Sequence, residues 1–256
     1  MLKAHIENDA DVTAAYIAEE LPSSALKHTA NDRGLYYTFA LTGTRISKIY
    51  INPRDTGIQN FSMNIYCIER KKLIDMINTA FVRGQVYFER DVLAPNLESL
   101  NVQGFKYEGY AARISDMRSY FDENMKLLDD ENLDALFDPN PIYTKIRDDN
   151  PTRYISGSEV SNVMVADGCV IEGHVENSIL FRGVKVAKGA IVRNCILMQD
   201  TVIEEGAIVD YTITDKKVVI SAGKEMKGAD TFPLSSSWNF AFSTLCWMPR
   251  LVSILL

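Results

Sequence analysis

The pattern of hydrophobic and polar positions divides the 256-residue chain into two parts with different periodicities. Up to about residue 130, β-forming runs alternate with segments of helical spacing. The β-forming runs are DVTAAYI, GLYYTFAL, RISKIYI, FSMNIYCI and FKYEGYAARI, and helices are predicted at MLKAHIEN and KKLIDMINTAFV. In the second of these helices one face is apolar, with Leu73, Ile74, Ile77, Ala80 and Phe81. This alternation predicts an α/β layer.

The stretch YAARISDMRSYF, residues 110–121, is predicted to be the end of a strand that runs into a helix. Ser115 is the predicted N-cap, and Asp116 is placed in the first turn, where the helix dipole stabilises an anion. Strand-to-helix junctions of α/β enzymes often hold ligand-binding residues. Arg113 is the charged residue that this junction offers to a ligand.

The second part of the chain contains an internal repeat. Segments that begin at Val165, Val186 and Ile203 share an aliphatic residue, two variable positions, glycine, a small residue and two aliphatic residues. Their starts are 21 and 17 residues apart, close to one turn of a triangular parallel β-helix, and a loop insertion would explain the longer interval. The pattern places Gly168 and its two counterparts in register at tight corners, Gly189 and Gly206.

These patterns predict four regions: an α/β domain over residues 1–130, a linker over 131–154, the β-helix over 155–233 and a tail over 234–256. The tail sequence WNFAFSTLCWMPRLVSILL is strongly apolar and has roughly the length of a membrane span. Because Asn239, Pro249 and Arg250 interrupt it, we do not predict a spanning helix. A shifted reading frame or a misjoined gene is the preferred explanation of the tail, and a membrane anchor is the alternative.

Composition and charge narrow the classes of function. A net charge of -7 without a long Lys/Arg run argues against a nucleic-acid-binding surface. The four cysteines form no CxxC pair and the three histidines are far apart, so we expect buried free thiols and no His-rich metal site. The start of the chain has no signal-like segment, and a cytoplasmic location is expected.

Motifs that bind phosphate or activate a nucleophile are absent from the sequence. It contains no G-x-G, no P-loop and no spacing that suggests a Ser/His/Asp or Cys/His set. His174, within the repeat, is a candidate general base, because hexapeptide β-helices also form acyltransferases that use a histidine in this role. A lone histidine is more often structural.

Several segments occur in a characteristic order: MLKAHIENDADVT, NFSMNIYCI, YFERDVLAPNL, YAARISDMRSYFDENMKLL, NPIYTKIRDDNPTRY and then the repeat. In this order, over residues 1–234, the chain resembles the bacterial glucose-1-phosphate adenylyltransferases, and most of all their non-catalytic companion subunit. The resemblance implies a partial nucleotidyltransferase (Rossmann-like) α/β domain followed by a left-handed parallel β-helix of the hexapeptide-repeat type. The family's reaction joins ATP and glucose 1-phosphate into ADP-glucose and pyrophosphate, with Mg²⁺.

Compared with catalytic members, the sequence differs at positions that this reaction uses. INP, with Asn52 at its centre, stands where they have Glu-Lys-Pro, and SMN, from Ser62 to Asn64, stands where they have Ser-Met-Gly. Arg113 takes the place of a metal-binding Asp, and a guanidinium cannot coordinate Mg²⁺. The family's Gly-rich ATP loop would precede Met1, so a marginal α/β part with exposed apolar faces is expected.

These differences predict a regulatory or structural subunit that is inactive by itself and forms a hetero-oligomer, expected to be a tetramer, with a catalytic subunit. Asn52, Ser62, Asn64 and Arg113 are the predicted remnants of a substrate site that would contact a sugar phosphate. We predict no catalytic residue, metal ligand or cofactor in this chain, and Mg²⁺ is assigned to the catalytic partner; neither nucleic acid nor a membrane is an expected partner. Three alternatives stay open: an active sugar-phosphate nucleotidyltransferase, an acyltransferase that uses His174, and an interaction module without any link to an enzyme.

Overall fold

The computed structural model describes residues 1–20, 36–53, 57–112, 114, 116–137, 143 and 148–236. Arg113, Ser115 and the apolar tail from residue 238 lie outside these ranges. The chain divides into two compact units, one up to Ala111 and one from Ala112 onwards. The domain boundaries predicted at residues 130, 154 and 233 stay predictions.

The first unit contains two helices and five strands, joined by short turns. They are α1 (Leu2–Glu7), β1 (Val12–Glu20), β2 (Tyr37–Thr42), β3 (Arg45–Ile51), β4 (Ile58–Ile68), α2 (Arg70–Val82) and β5 (Val102–Lys106), with a π-helical turn at Phe88–Leu93 and a 3-10 turn at Ala94–Asn96. The strand order is β1-β4-β2-β3-β5, and the sheet closes on itself. β1 and β5 are parallel, whereas the other neighbours are antiparallel.

The predicted strands of the first unit are present, but β5 is shorter than its sequence suggests. β5 ends at Lys106, which pairs with Tyr16 of its parallel neighbour β1. The prediction that residues 110–112 end a strand is therefore wrong. Beyond Tyr16, β1 pairs only with β4, and the sequence after Lys106 contains Gly109 and two alanines, which favour strands poorly.

The core of the first unit lies inside the closed sheet. Val12, Ala14, Leu93 and Val102 are fully buried there. α2 contributes Met76 to this core, but the apolar face predicted for α2 is directed largely to solvent: Ile77 is 54% exposed and Phe81 is 82% exposed. The expectation of exposed apolar residues is thus met on α2, while the expectation of marginal stability stays a prediction.

The second unit consists of α3 (Met117–Lys126), α4 (Asp130–Phe137) and a parallel β-helix with three faces. The first face stacks β6 (Arg153–Tyr154), β8 (Val170–Ile171), β10 (Lys185–Val186), β13 (Val202–Ile203) and β16 (Val219–Ile220). The second stacks β7 (Glu159–Val165), β9 (His174–Leu180), β11 (Ile191–Arg193), β14 (Ile208–Asp210) and β17 (Glu225–Lys227). The C-terminal ends of β7 and β9 also begin the third face, which continues with β12 (Ile196–Leu197), β15 (Thr212–Thr214) and β18 (Leu234–Ser236).

Aliphatic side chains fill the interior of the β-helix. On the first face, Ile171, Val186, Ile203 and Ile220 stack in consecutive coils, and each is at most 2% exposed. Each coil therefore buries the apolar residues of its neighbours, as expected for a solenoid. Within the described ranges, no helix has the length and apolar composition that crossing a bilayer requires.

The register of the repeat differs from the predicted one. Ile191 pairs with Ile208, and Ile208 with Glu225, which gives coils of 17 residues. Gly168, however, lies against Gly183, at the corner before the first face. Gly189 and Gly206 stack at the following corner, so the predicted equivalence of Gly168 with them is wrong. The 21-residue interval joins two different corners and contains no loop insertion. Both corners need a left-handed backbone, which is why they share one sequence pattern.

Asparagines support the corner between the second and third faces. Asn162, Asn177 and Asn194 have φ values of 50°, 45° and 50°, a region that asparagine tolerates better than most residues. Asn162 Nδ2 donates to Asn177 Oδ1 at 2.8 Å, and Asn177 Nδ2 donates to Asn194 Oδ1 at 2.7 Å. Asn194 Nδ2 continues this asparagine ladder to Asp210 Oδ1 at 3.0 Å. In the next coil Tyr211 occupies the corner, with φ 45°.

We expect Asn194→Ala to lower the free energy of unfolding by about 2–3 kcal/mol, because it removes two ladder hydrogen bonds and places alanine in the left-handed region. Asn194→Gly loses the same hydrogen bonds but keeps the backbone unstrained, so its loss should be about 1 kcal/mol smaller. Urea unfolding followed by circular dichroism measures both variants. Equal losses would show that backbone conformation does not limit this corner.

Candidate functional site

A bulge in β4 brings together three polar residues. Ala14 of β1 pairs with Tyr66 and Tyr16 pairs with Ser62, so residues 63–65 lie opposite a single residue of β1. Asn64, at the centre of the bulge, has φ 56°. Bulges of this kind redirect side chains next to functional sites. The left-handed backbone explains why this position suits glycine, and why asparagine is a tolerated replacement.

Ser62, Asn64, Tyr66 and Glu89 form one hydrogen-bonded chain. The buried Ser62 Oγ accepts from Asn64 N at 3.1 Å and donates to Asn64 Oδ1 at 3.2 Å. Ser62 Oγ also lies 3.3 Å from the hydroxyl of Tyr66, which donates to Glu89 Oε1. Glu89 belongs to the π-helical turn and is only 8% exposed. The four polar side chains therefore have partners within the chain.

The electrostatics of this network favour neutral phenols. Burial raises the pKa of Tyr66 well above its ordinary value, and the Glu89 carboxylate beside it adds to the shift. The pKa of Tyr37 is raised for the same two reasons. Tyr66 can therefore donate a hydrogen bond to Glu89, but it does not release its proton near neutral pH. Sequence reasoning missed Tyr66 and Glu89, although both lie in segments that carry the family resemblance.

Asn52 fixes the open end of the β2–β3 hairpin. Its Oδ1 accepts from Tyr36 N at 2.8 Å, its own N–H donates to Tyr36 O at 2.8 Å, and its φ is 48°. The ring of Tyr36 packs edge-on against Phe61, 5.7 Å between centroids, and Phe61 precedes Ser62. Of the predicted remnants, Ser62 and Asn64 are in direct contact and Asn52 is linked to them through Tyr36 and Phe61. Arg113 lies outside the described residues.

Asp91 caps the turn that carries Glu89. Its Oδ2 accepts from Val86 N at 2.9 Å and from Tyr87 N at 3.0 Å, and its Oδ1 accepts from Arg90 Nε at 2.6 Å. The hydrogen bond from Arg90, followed by those from the two backbone amides, holds the pKa of Asp91 far below its usual range. This carboxylate is committed to holding the turn in place.

Asp116 is the N-cap of α3, and the prediction that Ser115 has this role is wrong. The side chain of Asp116 accepts from Ser119 N at 2.7 Å, and Ser119 Oγ accepts from Asp116 N at 3.0 Å. This capping box uses the carboxylate of Asp116 to satisfy a free backbone amide. Helix formation follows from the cap at Asp116, so the helix begins one residue later than a Ser115 cap would require.

His174 lies among charged side chains on the second face of the β-helix. Its Nδ1 is 3.1 Å from Glu159 Oε2, and its Nε2 is 3.6 Å from Glu176 Oε2. Arg193 Nε approaches the same Glu176 oxygen at 3.4 Å. Both ring nitrogens thus face carboxylates of the stack, an arrangement that gives the acyltransferase alternative no support.

Cys169 and Cys195 are buried free thiols, as predicted from the sequence, and Cys67 is a partly buried one. Burial raises the pKa of both buried thiols, which makes them poor nucleophiles. Among the residues with described positions, no three His, Cys, Asp or Glu side chains are grouped as metal ligands would be. The assignment of Mg²⁺ to a catalytic partner stays a prediction.

Comparison with known proteins identifies relatives. Residues 146–232 match the family described as GlmU-like, C-terminal hexapeptide. Glycogen biosynthesis protein GlgD of Bacillus subtilis (strain 168) is 41% identical over 174 residues, which are 68% of this chain and 50% of that protein. Its namesake from Geobacillus stearothermophilus is 42% identical over 133 residues, 51% of this chain and 38% of that protein.

Glucose-1-phosphate adenylyltransferase of Geobacillus stearothermophilus is 32% identical over 200 residues, 75% of this chain and 49% of that protein. The chain is a homologue of these proteins. The resemblance inferred from its motifs is confirmed, and so is the fold class of an α/β unit followed by a hexapeptide-repeat β-helix. The chain spans half or less of the length of these relatives.

The raised pKa values of Tyr37 and Tyr66 predict a loss of stability at alkaline pH. The folded state keeps both phenols neutral where the unfolded state ionises them, so their contribution is complete below about pH 10 and falls as the pH rises further. Tyrosinate absorbance and circular dichroism, recorded together against pH, should change in one transition for these residues. Tyr66→Phe should make the stability less dependent on pH above about pH 10. Full ionisation of all tyrosines without loss of structure would contradict this prediction.

Proposed function

We propose that this chain is a regulatory or structural subunit of a glucose-1-phosphate adenylyltransferase in glycogen biosynthesis, inactive by itself. The complex would join ATP and glucose 1-phosphate into ADP-glucose and pyrophosphate in the cytoplasm. A catalytic partner would hold Mg²⁺ and the reacting groups. The two subunits would form a hetero-oligomer, expected to be a tetramer.

The bulge at Asn64 carries this proposal. Catalytic members resemble this chain but have glycine at the position of Asn64, which leaves room beside the sugar. Here the Asn64 side chain accepts the hydrogen bond of Ser62 Oγ, so the hydroxyl and the amide satisfy each other. A sugar phosphate entering at this point would have to break these bonds and displace the amide.

Asn52 supports the same conclusion from the phosphate side. A lysine at this position would supply a cation, and charge-assisted hydrogen bonds to phosphate are about twice as strong as neutral ones. The amide of Asn52 carries no charge, and its oxygen is already bonded to Tyr36 N. The chain therefore lacks, at this position, the group that would hold an anionic substrate.

The relatives favour the companion-subunit interpretation over a catalyst. The two proteins named GlgD are 41% and 42% identical to this chain, against 32% for the adenylyltransferase from one of the same organisms. Exposed apolar side chains offer surfaces for a partner on each unit, including Phe81 and Val82 of α2 and Tyr154 of the first coil.

Co-expression with a catalytic adenylyltransferase subunit tests the proposal. We expect native mass spectrometry to show a mixed oligomer, and ATP, glucose 1-phosphate and Mg²⁺ to give turnover only when the catalytic subunit is present. Turnover by this chain alone would establish the active-enzyme alternative. Failure to form any mixed oligomer would favour an interaction module without a link to this enzyme.

Restoring the two family residues tests the role of the substrate site. We expect the double variant Asn52→Lys with Asn64→Gly to bind glucose 1-phosphate roughly tenfold more tightly than the unchanged chain, because it adds a cation and removes the amide. Isothermal titration measures this affinity, and Asn60→Gly in the same strand serves as the control. An unchanged affinity would mean that these two positions are not the remnant of a sugar-phosphate site.

A further inference from the structure

The regular stack of the β-helix changes at two points that lie close together. The ladder of Asn162, Asn177 and Asn194 gives way to Tyr211, which keeps the same left-handed backbone. In the same coil, Thr212 pairs with Leu234, so 22 residues separate two positions that are 17 apart in the coils before it. The additional residues form a small turn in which Ala229 and Phe232 pair.

These two changes and α3 enclose a cavity of about 350 Å³ within the second unit. Phe121 and Met125 line it from α3, Asn177, Asn194 and Tyr211 line it from the corner, and Asp230 lines it from the inserted turn. Its volume is at the lower end of the roughly 300–1,000 Å³ found for small-molecule sites. Insertions that interrupt a repeat often carry binding residues, because the scaffold positions them rigidly.

One wall of the cavity is aromatic. The rings of Phe121 and Tyr211 lie 6.2 Å apart between centroids, at an interplanar angle of 44°. Phe121 is held by Ile196 and Ile213 of the third face, and Met125 packs against the same cluster. This wall is therefore a fixed apolar surface with the phenol of Tyr211 at its edge.

The opposite wall carries amides and a carboxylate. Asn177 and Asn194 are held by the ladder, and each uses one of its two amide hydrogens there. Within the described part of the chain, the second amide hydrogen of each residue and the carboxylate of Asp230 have no hydrogen-bond partner. These groups can donate to and accept from hydroxyl groups of a ligand.

The charges at the rim argue against an anionic ligand. Lys126 is paired with Glu123 at 2.7 Å, and Asp122 is paired with Arg118 at 3.1 Å. Asp230 then leaves the cavity with a negative charge that would repel a phosphate. A neutral molecule with hydroxyl groups on an apolar carbon frame fits both walls: its hydroxyls meet the amides and the carboxylate, and its C–H face meets the rings.

We propose that this cavity binds a neutral carbohydrate, an α-linked glucose oligomer. The carbohydrate class follows from the lining, whereas the choice of a glucose oligomer rests on the proposed function in glycogen biosynthesis. Binding would hold the subunit on the glucan that the pathway extends.

Titration of the full chain with maltoheptaose tests the proposal. Tyr211→Asn removes the aromatic edge but restores the ladder residue, which suits φ 45° and keeps the corner folded. We expect this variant to bind maltoheptaose at least about tenfold more weakly and Asp230→Ala about threefold more weakly. Tyr154→Asn, which changes an exposed tyrosine on the first face, should bind as the unchanged chain does.

Absence of binding at millimolar maltoheptaose would overturn the proposal, as would an equal loss in Tyr211→Asn and Tyr154→Asn. Tighter binding of glucose 6-phosphate than of neutral sugar would overturn the neutral class. Loss of the mixed oligomer in Tyr211→Asn, without any sugar binding by the unchanged chain, would show that the cavity is a protein contact. A chain that binds the sugar but forms no mixed oligomer would refute the subunit proposal and leave a carbohydrate site.

Discussion

The β-helix depends on one backbone constraint, because each of its three corners needs residues with a left-handed conformation. At these corners positive φ values recur from coil to coil, at Gly168, Gly183, Asp200 and Lys217, at Gly189, Gly206 and Gly223, and at Asn162, Asn177, Asn194 and Tyr211. An ordinary L-residue loses roughly 1–2 kcal/mol there, so glycine and asparagine dominate. Only when the corners close can the short strands between them align and bury their aliphatic side chains.

The same constraint connects the first unit to its proposed role. Asn52 and Asn64 both have positive φ, and both use their side-chain amides to bond neighbouring groups. A glycine would satisfy the backbone at Asn64 equally well and leave the space open. Asparagine instead fills that space and engages Ser62, so a residue accepted for its conformation also closes the region where catalytic relatives would hold a sugar.

At Tyr211 the corner accepts a residue that conformation does not favour. The tyrosine gives up the ladder hydrogen bonds that an asparagine would make, and it gains contact with Phe121 of α3. A loss of local preference at one coil, next to an insertion, is typical of positions with a binding role. The regular coils on either side provide the rigid support that such a position needs.

Much of the fold was determined by the sequence alone. Alternating and helical periodicities predicted the strands of the first unit and α2, and the glycine–aliphatic repeat predicted the β-helix, because these patterns reflect backbone geometry within a few residues. Ser62 and Asn64 were found together because they share one strand. The motifs also led to the correct relatives.

Tertiary structure decided what depends on contacts between distant residues. Both kinds of glycine corner look alike in sequence, so only the stacking of coils showed that Gly168 belongs with Gly183. Tyr66 and Glu89 are 23 residues apart, and no local pattern indicates that the turn carrying Glu89 lies against the bulge. The cavity at Tyr211 combines residues from Phe121 to Asp230. Such a site exists only after the coils have stacked, because its walls come from separate segments whose spacing in the chain carries no information about their distance in space.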